Sequence, residues 1–157
     1  MGLPAFWTTA RRAGRNLLRR LTSVLRLHLI GSTPNHLIIG RYGEWLARRY
    51  LHRNRCVIVA TRWRAKSGEL DIVAWDGPLL CFIEVKTRVG KHSAPEAAWT
   101  IEKSERVRNA AQAFLSEKRL GHVVWRIDLI AVRIVSLLQA EIIRIKSAAP
   151  GQRRRTS

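Results

Sequence analysis

Acidic residues and a lysine recur at alternate positions in two neighbouring stretches of the sequence. One residue separates Glu69 from Asp71, and one residue separates Glu84 from Lys86. Side chains alternate between the two faces of a β-strand, so each pair shares a face if its stretch is extended. Carboxylate oxygens are the preferred ligands of hard divalent cations. The spacing therefore indicates a site in which carboxylates share a metal ion beside an ammonium group.

The two stretches, 69–75 and 79–86, are predicted to form a β-hairpin. Both are rich in β-branched and aromatic residues, and they flank a turn with the letters DGP. Any register in which the numbers of paired residues add to an odd sum puts both charged sets on one face. With a sum of 153, Asp71 is opposite Phe82 and diagonal to Glu84. Diagonal neighbours lie about 7–8 Å apart, which is within reach of one shared metal ion.

Apolar residues surround these charges. The opposite face of the hairpin is predicted to hold Leu70, Ile72, Ala74, Ile83 and Val85. Charged side chains within such apolar runs are rarely fully buried unless they are paired or bind a metal. A half-exposed hairpin with ordinary cross-strand ion pairs fits the spacing equally well, so the spacing alone leaves both interpretations open.

A helix predicted over residues 36–53 brings in a further carboxylate. Glu44 lies at the edge of the stripe by which this helix would pack on a sheet. It either points towards the charged face of the hairpin or is solvated and pairs with Arg48 at i+4. The stripe consists of Gly40, Gly43, Leu46, Ala47, Tyr50 and Leu51.

The order of these residues resembles a known signature. Twelve residues separate Asp71 from Glu84 and one separates Glu84 from Lys86, an order that resembles the metal-binding signature of the restriction-endonuclease-like superfamily. Five blocks in sequence, over about residues 36–146, resemble the bacterial YraN-like family, which is related to archaeal Holliday-junction resolvases. They are GRYGEWLARRYL, GELDIVAW, FIEVKTR, the helix after Thr100 and WRIDLIAV.

The resemblance implies a Mg²⁺-dependent nuclease, with Mn²⁺ as a substitute. It implies that Asp71, Glu84 and the Val85 backbone carbonyl hold the metal, and that Lys86 orients or activates the attacking water. It also favours a catalytic role for Glu44, as a ligand of a second metal or of a metal-bound water. Glu69 shares the predicted face, but the signature does not require it.

The charge balance favours a polyanionic partner. The 157 residues include 29 Lys and Arg against 11 Asp and Glu, which gives a formal net charge of +18. This excess favours nucleic acid, with an anionic membrane second and a ribosome-associated role as a further alternative. Candidate nucleic-acid contacts are Arg62, Arg64, Arg88, Lys91, Lys103 and Arg106.

Two of these regions also admit a structural interpretation. Trp63 lies between two of the arginines, and it either stacks on a base while they bind phosphate or packs in the core while they face water. Thr100 is the predicted N-cap of a helix over residues 101–118. The Lys103 ammonium either meets a phosphate near the start of this helix or extends into solvent.

The cysteines and histidines indicate no zinc site. Cys56 and Cys81 are the only cysteines, both in apolar strand-like stretches, and the five histidines have no HExxH or other ligand spacing. We expect both thiols to be reduced, buried and structural, which suits a cytoplasmic protein.

The chain is predicted to have three parts. Residues 1–35 contain no acidic residue and predict a basic amphipathic helix followed by a linker. This extension either binds phosphates, binds a membrane surface or partner, or has no function of its own. Arginines interrupt its apolar run, which argues against a transmembrane segment and a secretory signal. Residues 36–146 form the nuclease-like domain, and the basic tail 147–157 is expected to be disordered.

The predicted order of elements is helix, three strands, helix and two strands. This order favours one α/β domain with a central mixed β-sheet flanked by helices, as in the restriction-endonuclease-like core. Asp128 is expected to be structural and to pair with a basic neighbour.

The resemblance and the charge together favour a Mg²⁺-dependent endonuclease that acts on DNA, branched or junction DNA included. The alternatives are a non-catalytic nucleic-acid-binding module of the same fold and a membrane-surface protein. Related junction-cutting enzymes also imply a homodimer.

Deleting residues 1–35 is expected to leave the domain folded and to weaken DNA binding in the absence of divalent metal. Each phosphate contact that is lost should reduce the slope of log Kobs against log salt by about 0.9 on duplex DNA. Fluorescence anisotropy over a salt series measures this slope for the full and the truncated chain. Loss of cooperative urea unfolding after truncation would show instead that the extension belongs to the core.

Overall fold

The computed structural model describes residues 36–136 and 139–149. The predicted order of elements is confirmed. The basic extension, with the helix expected in it, and residues 150–157 lie outside the described residues. The elements are helix α1 (His36–Arg53), strands β1 (Val57–Ala65), β2 (Gly68–Asp76) and β3 (Leu79–Val89), a 3₁₀ helix (Pro95–Ala98), helix α2 (Ile101–Glu117), and strands β4 (Trp125–Ile134) and β5 (Ala140–Ala149).

The five strands form one mixed sheet in the order β1-β2-β3-β4-β5. Strands β3 and β4 are parallel, and the other neighbouring pairs are antiparallel. A parallel pair needs a crossover of about a dozen residues or more, and the segment with the 3₁₀ helix and α2 provides it. The fold is therefore α/β, as predicted. Among the helices described, none is long and apolar enough to span a membrane.

Helix α1 packs on one face of the sheet, termed the α1 face. Ala47 and Leu51 are completely buried there, in a cluster that includes Ile83 of β3. Gly43 lies directly against Thr87, and a Cβ at this position would overlap the threonine hydroxyl. Only glycine allows this approach, which fixes α1 beside the second half of β3.

Helix α2 packs on the opposite face, termed the α2 face, through an aromatic cluster. Phe114 meets Phe82 and Trp63 edge to face, with ring centroids 5.7 and 5.2 Å apart. Phe82 meets Trp125 in the same way at 5.5 Å. These contacts are favourable because the positive edge of one ring meets the negative face of the next. Of the two interpretations of Trp63, the structure therefore shows the one in which it packs in the core.

The register of the β2–β3 hairpin differs from the predicted one. Ile72 pairs with Ile83, so the numbers of paired residues add to 155 and not to the predicted 153. The sum is odd, as a shared face for the charged residues requires. Phe82 pairs with Val73, and the same register continued by one residue beyond Ile72 and Ile83 places Asp71 opposite Glu84. The two carboxylates are closer neighbours than the diagonal arrangement predicted.

The turn explains this register. Asp76 pairs with Leu79, which leaves Gly77 and Pro78 as a two-residue loop, with Gly77 at a φ of 60°. A sum of 153 would have placed Pro78 inside the ladder, where proline cannot donate a hydrogen bond. The hairpin therefore shifts so that proline lies in the loop.

Leu70 departs from the predicted alternation. The sequence places it on the face of Ile72, but it packs with Val73 on the α2 face while Ile72 packs on the α1 face. Thr61 pairs with Ile72 and Trp63 with Leu70, so Arg62 is level with Asp71, and it has a φ of 52°. A residue in this left-handed conformation interrupts the pleat, so the side chains on either side of it exchange faces.

An ion network closes the end of the sheet where β2 ends. Asp128 is completely buried and accepts hydrogen bonds from Arg126 Nε at 2.9 Å, Arg144 Nη2 at 2.7 Å and the Ser147 amide at 2.9 Å. Both arginines also bind Asp76 Oδ2, at 2.6 and 3.0 Å. The prediction that Asp128 is paired with a basic neighbour is confirmed. Ser147, which the sequence assigned to the disordered tail, belongs to β5.

Both cysteines are buried, unpaired thiols beside this network. Arg144 Nη1 lies 3.5 Å from the Cys56 sulfur, and Nη2 lies 3.7 Å from the Cys81 sulfur. Burial raises the pKa of Cys81 to about 12, so this thiol stays protonated and unreactive. The expectation of buried structural cysteines is confirmed.

Replacing Asp128 by asparagine is expected to lower the free energy of unfolding by about 3–5 kcal/mol, because buried arginines lose their carboxylate. Urea unfolding followed by circular dichroism at neutral pH measures the change. Glu117→Gln is the matched control, since Glu117 pairs with Lys118 at the surface, where a pair contributes about 0–1 kcal/mol. Equal losses in the two variants would contradict the structural role of the network.

Candidate active site

The charged residues identified from the sequence meet at the other end of the sheet. Asp71 lies near the start of β2, whereas Asp76 of the ion network ends that strand. Backbone pairing of β2 with β3 stops at Ile72 and Ile83. Beyond this pair, Asp71 Oδ2 accepts the N–H of Val85 at 2.8 Å. A carboxylate thus replaces a backbone acceptor between the two strands.

Glu84 and Lys86 share one face of β3, as predicted. They form an ion pair between Glu84 Oε1 and Lys86 Nζ, and their side chains are 14% and 21% exposed. The ammonium therefore neutralises one of the two facing carboxylates. Asp71 has no comparable cation pair of its own among the described residues.

The surroundings of Asp71 disfavour its charged form. Burial is the largest cause and the neighbouring Glu84 the next, and together they raise the pKa of Asp71 from 3.8 to about 7. The Val85 hydrogen bond and Lys86 act in the opposite direction. A carboxyl group whose pKa is raised by burial and by a neighbouring carboxylate is typical of catalytic and metal-binding sites.

Glu44 is brought to the same place by the close contact of α1 with β3. Its charge contributes to the raised pKa of Asp71. Burial raises the pKa of Glu44 itself, while Arg62 and Arg48 act to lower it. The charge of Glu44 thus acts on Asp71, and that of Arg48 acts on Glu44, so both interpretations of Glu44 stay predictions.

Asp71 and Glu84 offer a donor set that suits Mg²⁺. In proteins this ion is usually held by one or two carboxylates and several waters, and a cation would neutralise the repulsion that raises the pKa of Asp71. Over residues 36–136 and 139–149, no three His, Cys, Asp or Glu side chains are placed to hold a metal. Glu44 therefore does not complete a three-ligand group, and its role towards a metal stays a prediction, as does that of the Val85 carbonyl.

Glu69 is bound by two arginines. Its carboxylate pairs with Arg62 Nε at 3.4 Å and Arg64 Nε at 3.0 Å. The left-handed conformation of Arg62 costs on the order of 1–3 kcal/mol, and such strain is concentrated at functional sites. Glu69 thus holds two candidate phosphate-binding groups beside the carboxylates.

The remaining candidates surround the site or support it. The Thr100 side chain accepts the Lys103 N–H, which confirms the predicted N-cap. Lys103 Nζ donates to the last carbonyl of the 3₁₀ helix at 3.0 Å, a structural contact that the sequence did not predict. Arg88 and Lys91 are exposed where β3 ends, and Arg106 is exposed on α2.

Sequence analysis did not identify Arg133. It lies beside Arg88 in the parallel pairing of β3 and β4. Its Nη1 lies 3.3 Å from Glu141 Oε2 and donates to the Lys91 carbonyl at 3.4 Å. Alternation in β4 predicts its face, but only the β3–β4 register brings it to Arg88, and no local signal gives that register.

These features define a class of α/β protein in which the centre of a mixed sheet carries two facing carboxylates and a lysine. Residues 43–132 match the family described as "Uncharacterised protein family UPF0102". The chain belongs to this family, in agreement with the resemblance found in its sequence. The match includes Glu44, Asp71, Glu84 and Lys86.

Several bacterial UPF0102 proteins are similar to this chain. One from Solibacter usitatus is 39% identical over 108 residues, which cover 67% of this chain and 82% of the relative. One from Syntrophotalea carbinolica is 43% identical over 102 residues, covering 64% and 83%. One from Rhodococcus opacus is 36% identical over 115 residues, covering 73% and 98%. The similarity thus extends over most of each relative.

The raised pKa of Asp71 predicts that its contribution to stability falls as pH rises. Between about pH 4 and pH 7 this carboxyl group holds a proton in the folded state that it has released in the unfolded state, so its contribution to the free energy of unfolding decreases across this window. Asp71→Asn removes the titration, so its stability relative to wild type should increase by a few kcal/mol from about pH 5 to pH 8. Urea unfolding at both pH values measures the difference.

Asp76→Asn provides the contrast for this experiment. Desolvation acts to raise the pKa of Asp76, but hydrogen bonding to Arg126 and the charge of Arg144 together outweigh it, so this pKa lies below its usual value. Its replacement should therefore cost stability at both pH values. An Asp71→Asn variant that is no more stable than wild type at pH 8 would contradict the proposed charge repulsion.

Proposed function

We propose that this protein is a Mg²⁺-dependent nuclease that hydrolyses phosphodiester bonds in DNA, branched and junction DNA included, with Mn²⁺ as a substitute. The observation that carries the proposal is Asp71 facing Glu84 beside Lys86, where burial and like charge raise the pKa of Asp71 to about 7. Clustered carboxylates repel a phosphate backbone, so a protein that only binds phosphate gains nothing from them. With a divalent cation bound, the same cluster attracts phosphate.

Each residue of the centre has a distinct role in this proposal. Asp71 and Glu84 would hold the cation, together with the Val85 carbonyl and water, and the cation when bound supplies positive charge to the phosphate and lowers the pKa of water. The Val85 N–H fixes the Asp71 carboxylate. Lys86 Nζ would orient or activate the attacking water, and Glu44 would bind a second cation or a cation-bound water.

Basic residues around the centre would supply affinity for nucleic acid. Phosphate contacts dominate such affinity, and a net charge of +18 favours them. Lys103 contributes positive charge, although its ammonium group donates a hydrogen bond to the Ala98 carbonyl. The candidate phosphate contacts are Arg62, Arg64, Arg88, Lys91 and Arg106.

A non-catalytic nucleic-acid-binding module of the same fold is the second candidate. The Lys86–Glu84 ion pair favours it, because each group satisfies the other without a metal ion or a water. The membrane-surface alternative depends on residues 1–35, which lie outside the described residues.

We also propose that the protein acts in the cytoplasm, because two buried, unpaired cysteines suit a reducing compartment. A homodimer stays a prediction from related junction-cutting enzymes. Sedimentation analysis with and without four-way DNA tests it.

Asp71→Asn, Glu84→Gln and Lys86→Ala should each reduce Mg²⁺-dependent cleavage by at least about 10²-fold, as expected for loss of a group that acts on the transition state. The substrates are linear, flapped and four-way DNA and a matched RNA, with Mg²⁺ or Mn²⁺. The two carboxylate variants should bind DNA as well as wild type or more tightly, because they remove negative charge. Lys86→Ala should keep its affinity for Mg²⁺ in calorimetry.

Glu117→Gln is the control for this panel, because it removes an exposed carboxylate on α2 that, among the described residues, pairs with its neighbour Lys118. It should cleave at the wild-type rate. If wild type cleaves none of the substrates, and calorimetry finds no Mg²⁺ site that Asp71→Asn removes, the nuclease proposal fails and the binding module takes its place.

A further inference from the structure

We propose that Arg88 and Arg133 together form a subsite for a phosphodiester group next to the one that is cleaved. The proposal rests on the proposed function for the position of the cleaved phosphate. The subsite itself is defined by residues outside the carboxylate centre. Arg133 and Arg88 are termed the arginine pair.

The pairing of β3 with β4 brings the two arginines side by side. They are register partners on adjacent parallel strands, and neighbouring strands lie about 4.8 Å apart. Partners in a sheet share a face, and alternation along β3 puts Glu84, Lys86 and Arg88 on the α2 face together with buried Phe82. The arginine pair therefore continues the row of side chains that forms the centre.

Like charges at paired positions repel each other. Among the described residues, the arginine pair has one ion-pair partner, the Glu141 carboxylate. It lies 3.3 Å from Arg133 and is itself half-exposed. Arg88 is exposed, and Lys91 adds a third positive charge in the loop that follows. A bound anion would offset this repulsion, whereas a further cation would increase it.

Arg133 is also incompletely satisfied. Its Nε is buried and has no hydrogen-bond partner among the described residues. Its two other contacts, at 3.3 Å to Glu141 and 3.4 Å to the Lys91 carbonyl, are at the long end of the hydrogen-bond range. A guanidinium group binds phosphate best through two parallel N–H donors, so exchanging these long contacts for phosphate oxygens would satisfy the unpaired donor.

The distance from the centre identifies which phosphate is bound. Lys86 and Arg88 are two residues apart on one strand, and each residue adds about 3.3 Å. The resulting separation is comparable with that between successive phosphates of a nucleic-acid strand. A cleaved phosphate at Lys86 therefore places its neighbour at the arginine pair, and the substrate strand follows β3 towards its C-terminal end.

The test measures binding of fluorescein-labelled duplex DNA without divalent metal, in the Asp71→Asn background so that no cleavage occurs. Adding Arg133→Gln should weaken binding about tenfold at low salt and reduce the slope of log Kobs against log salt by about 0.9, the value for one phosphate. Arg133→Lys keeps the charge, so it should keep the slope but bind more weakly than arginine because it lacks the paired donors.

Glu141→Gln is the matched control. It removes the ion-pair partner of Arg133 without removing the arginine, so DNA affinity should stay the same or increase. If Arg133 only stabilises the sheet through Glu141, both variants should lower the urea midpoint and leave the salt slope unchanged. That result would overturn the subsite.

The outcomes for the subsite and for the nuclease are separable. If wild type cleaves DNA but Arg133→Gln leaves the salt slope of the Asp71→Asn parent unchanged, the nuclease proposal stands and the subsite proposal fails. If wild type does not cleave but Arg133→Gln reduces the salt slope, the subsite proposal stands and the protein is a binding module. Line broadening of inorganic phosphate in ³¹P spectra should be present in the parent and absent in Arg133→Gln, and broadening that persists would count against the site.

Discussion

The hydrogen bond from the Val85 N–H to the Asp71 carboxylate is the contact on which the candidate site depends. It forms where the β2–β3 ladder ends, so the carboxylate occupies a position that a backbone carbonyl would otherwise take. On the other side of β2, the neighbouring strand β1 is irregular at the same level, where Arg62 has a left-handed backbone. A local irregularity in two strands thus directs an acidic group towards a second acidic group.

The buried acidic residues at the two ends of the sheet differ in how far hydrogen bonds and opposite charges compensate them. Asp128 is completely buried, yet two arginines and a backbone amide satisfy it. Asp71 receives one amide and faces Glu84, and its pKa rises in consequence. A charge that is removed from water without compensation lowers stability unless a ligand restores the balance. The first arrangement therefore stabilises the fold, whereas the second is typical of a site that binds a cation.

Local patterns predicted much of the fold and part of the site. Helix α1, the hairpin and the shared face of Glu84 and Lys86 follow from periodicity over a few residues, and the N-cap at Thr100 follows from one side chain. The predicted hairpin register was wrong. Both registers leave a loop of two residues, but the observed one keeps Pro78 out of the hydrogen-bonded ladder. Leu70 was misplaced because a left-handed arginine carries no sequence signal of its own, and Arg133 was missed because its neighbour lies across a parallel strand pair.

The parallel pairing of β3 with β4 also bears on the order in which the chain is synthesised. Every residue of the carboxylate centre lies between Glu44 and Lys86, in a segment that ends with β3. This segment leaves the ribosome before β4, so the acidic centre can assemble while one edge of β3 is still unpaired. An unpaired edge is a template for wrong strand pairing, and the crossover through α2 must be completed before β4 can cover it. The nascent chain is thus exposed to misassociation for the time needed to synthesise about forty residues, and charged side chains along that open edge oppose it.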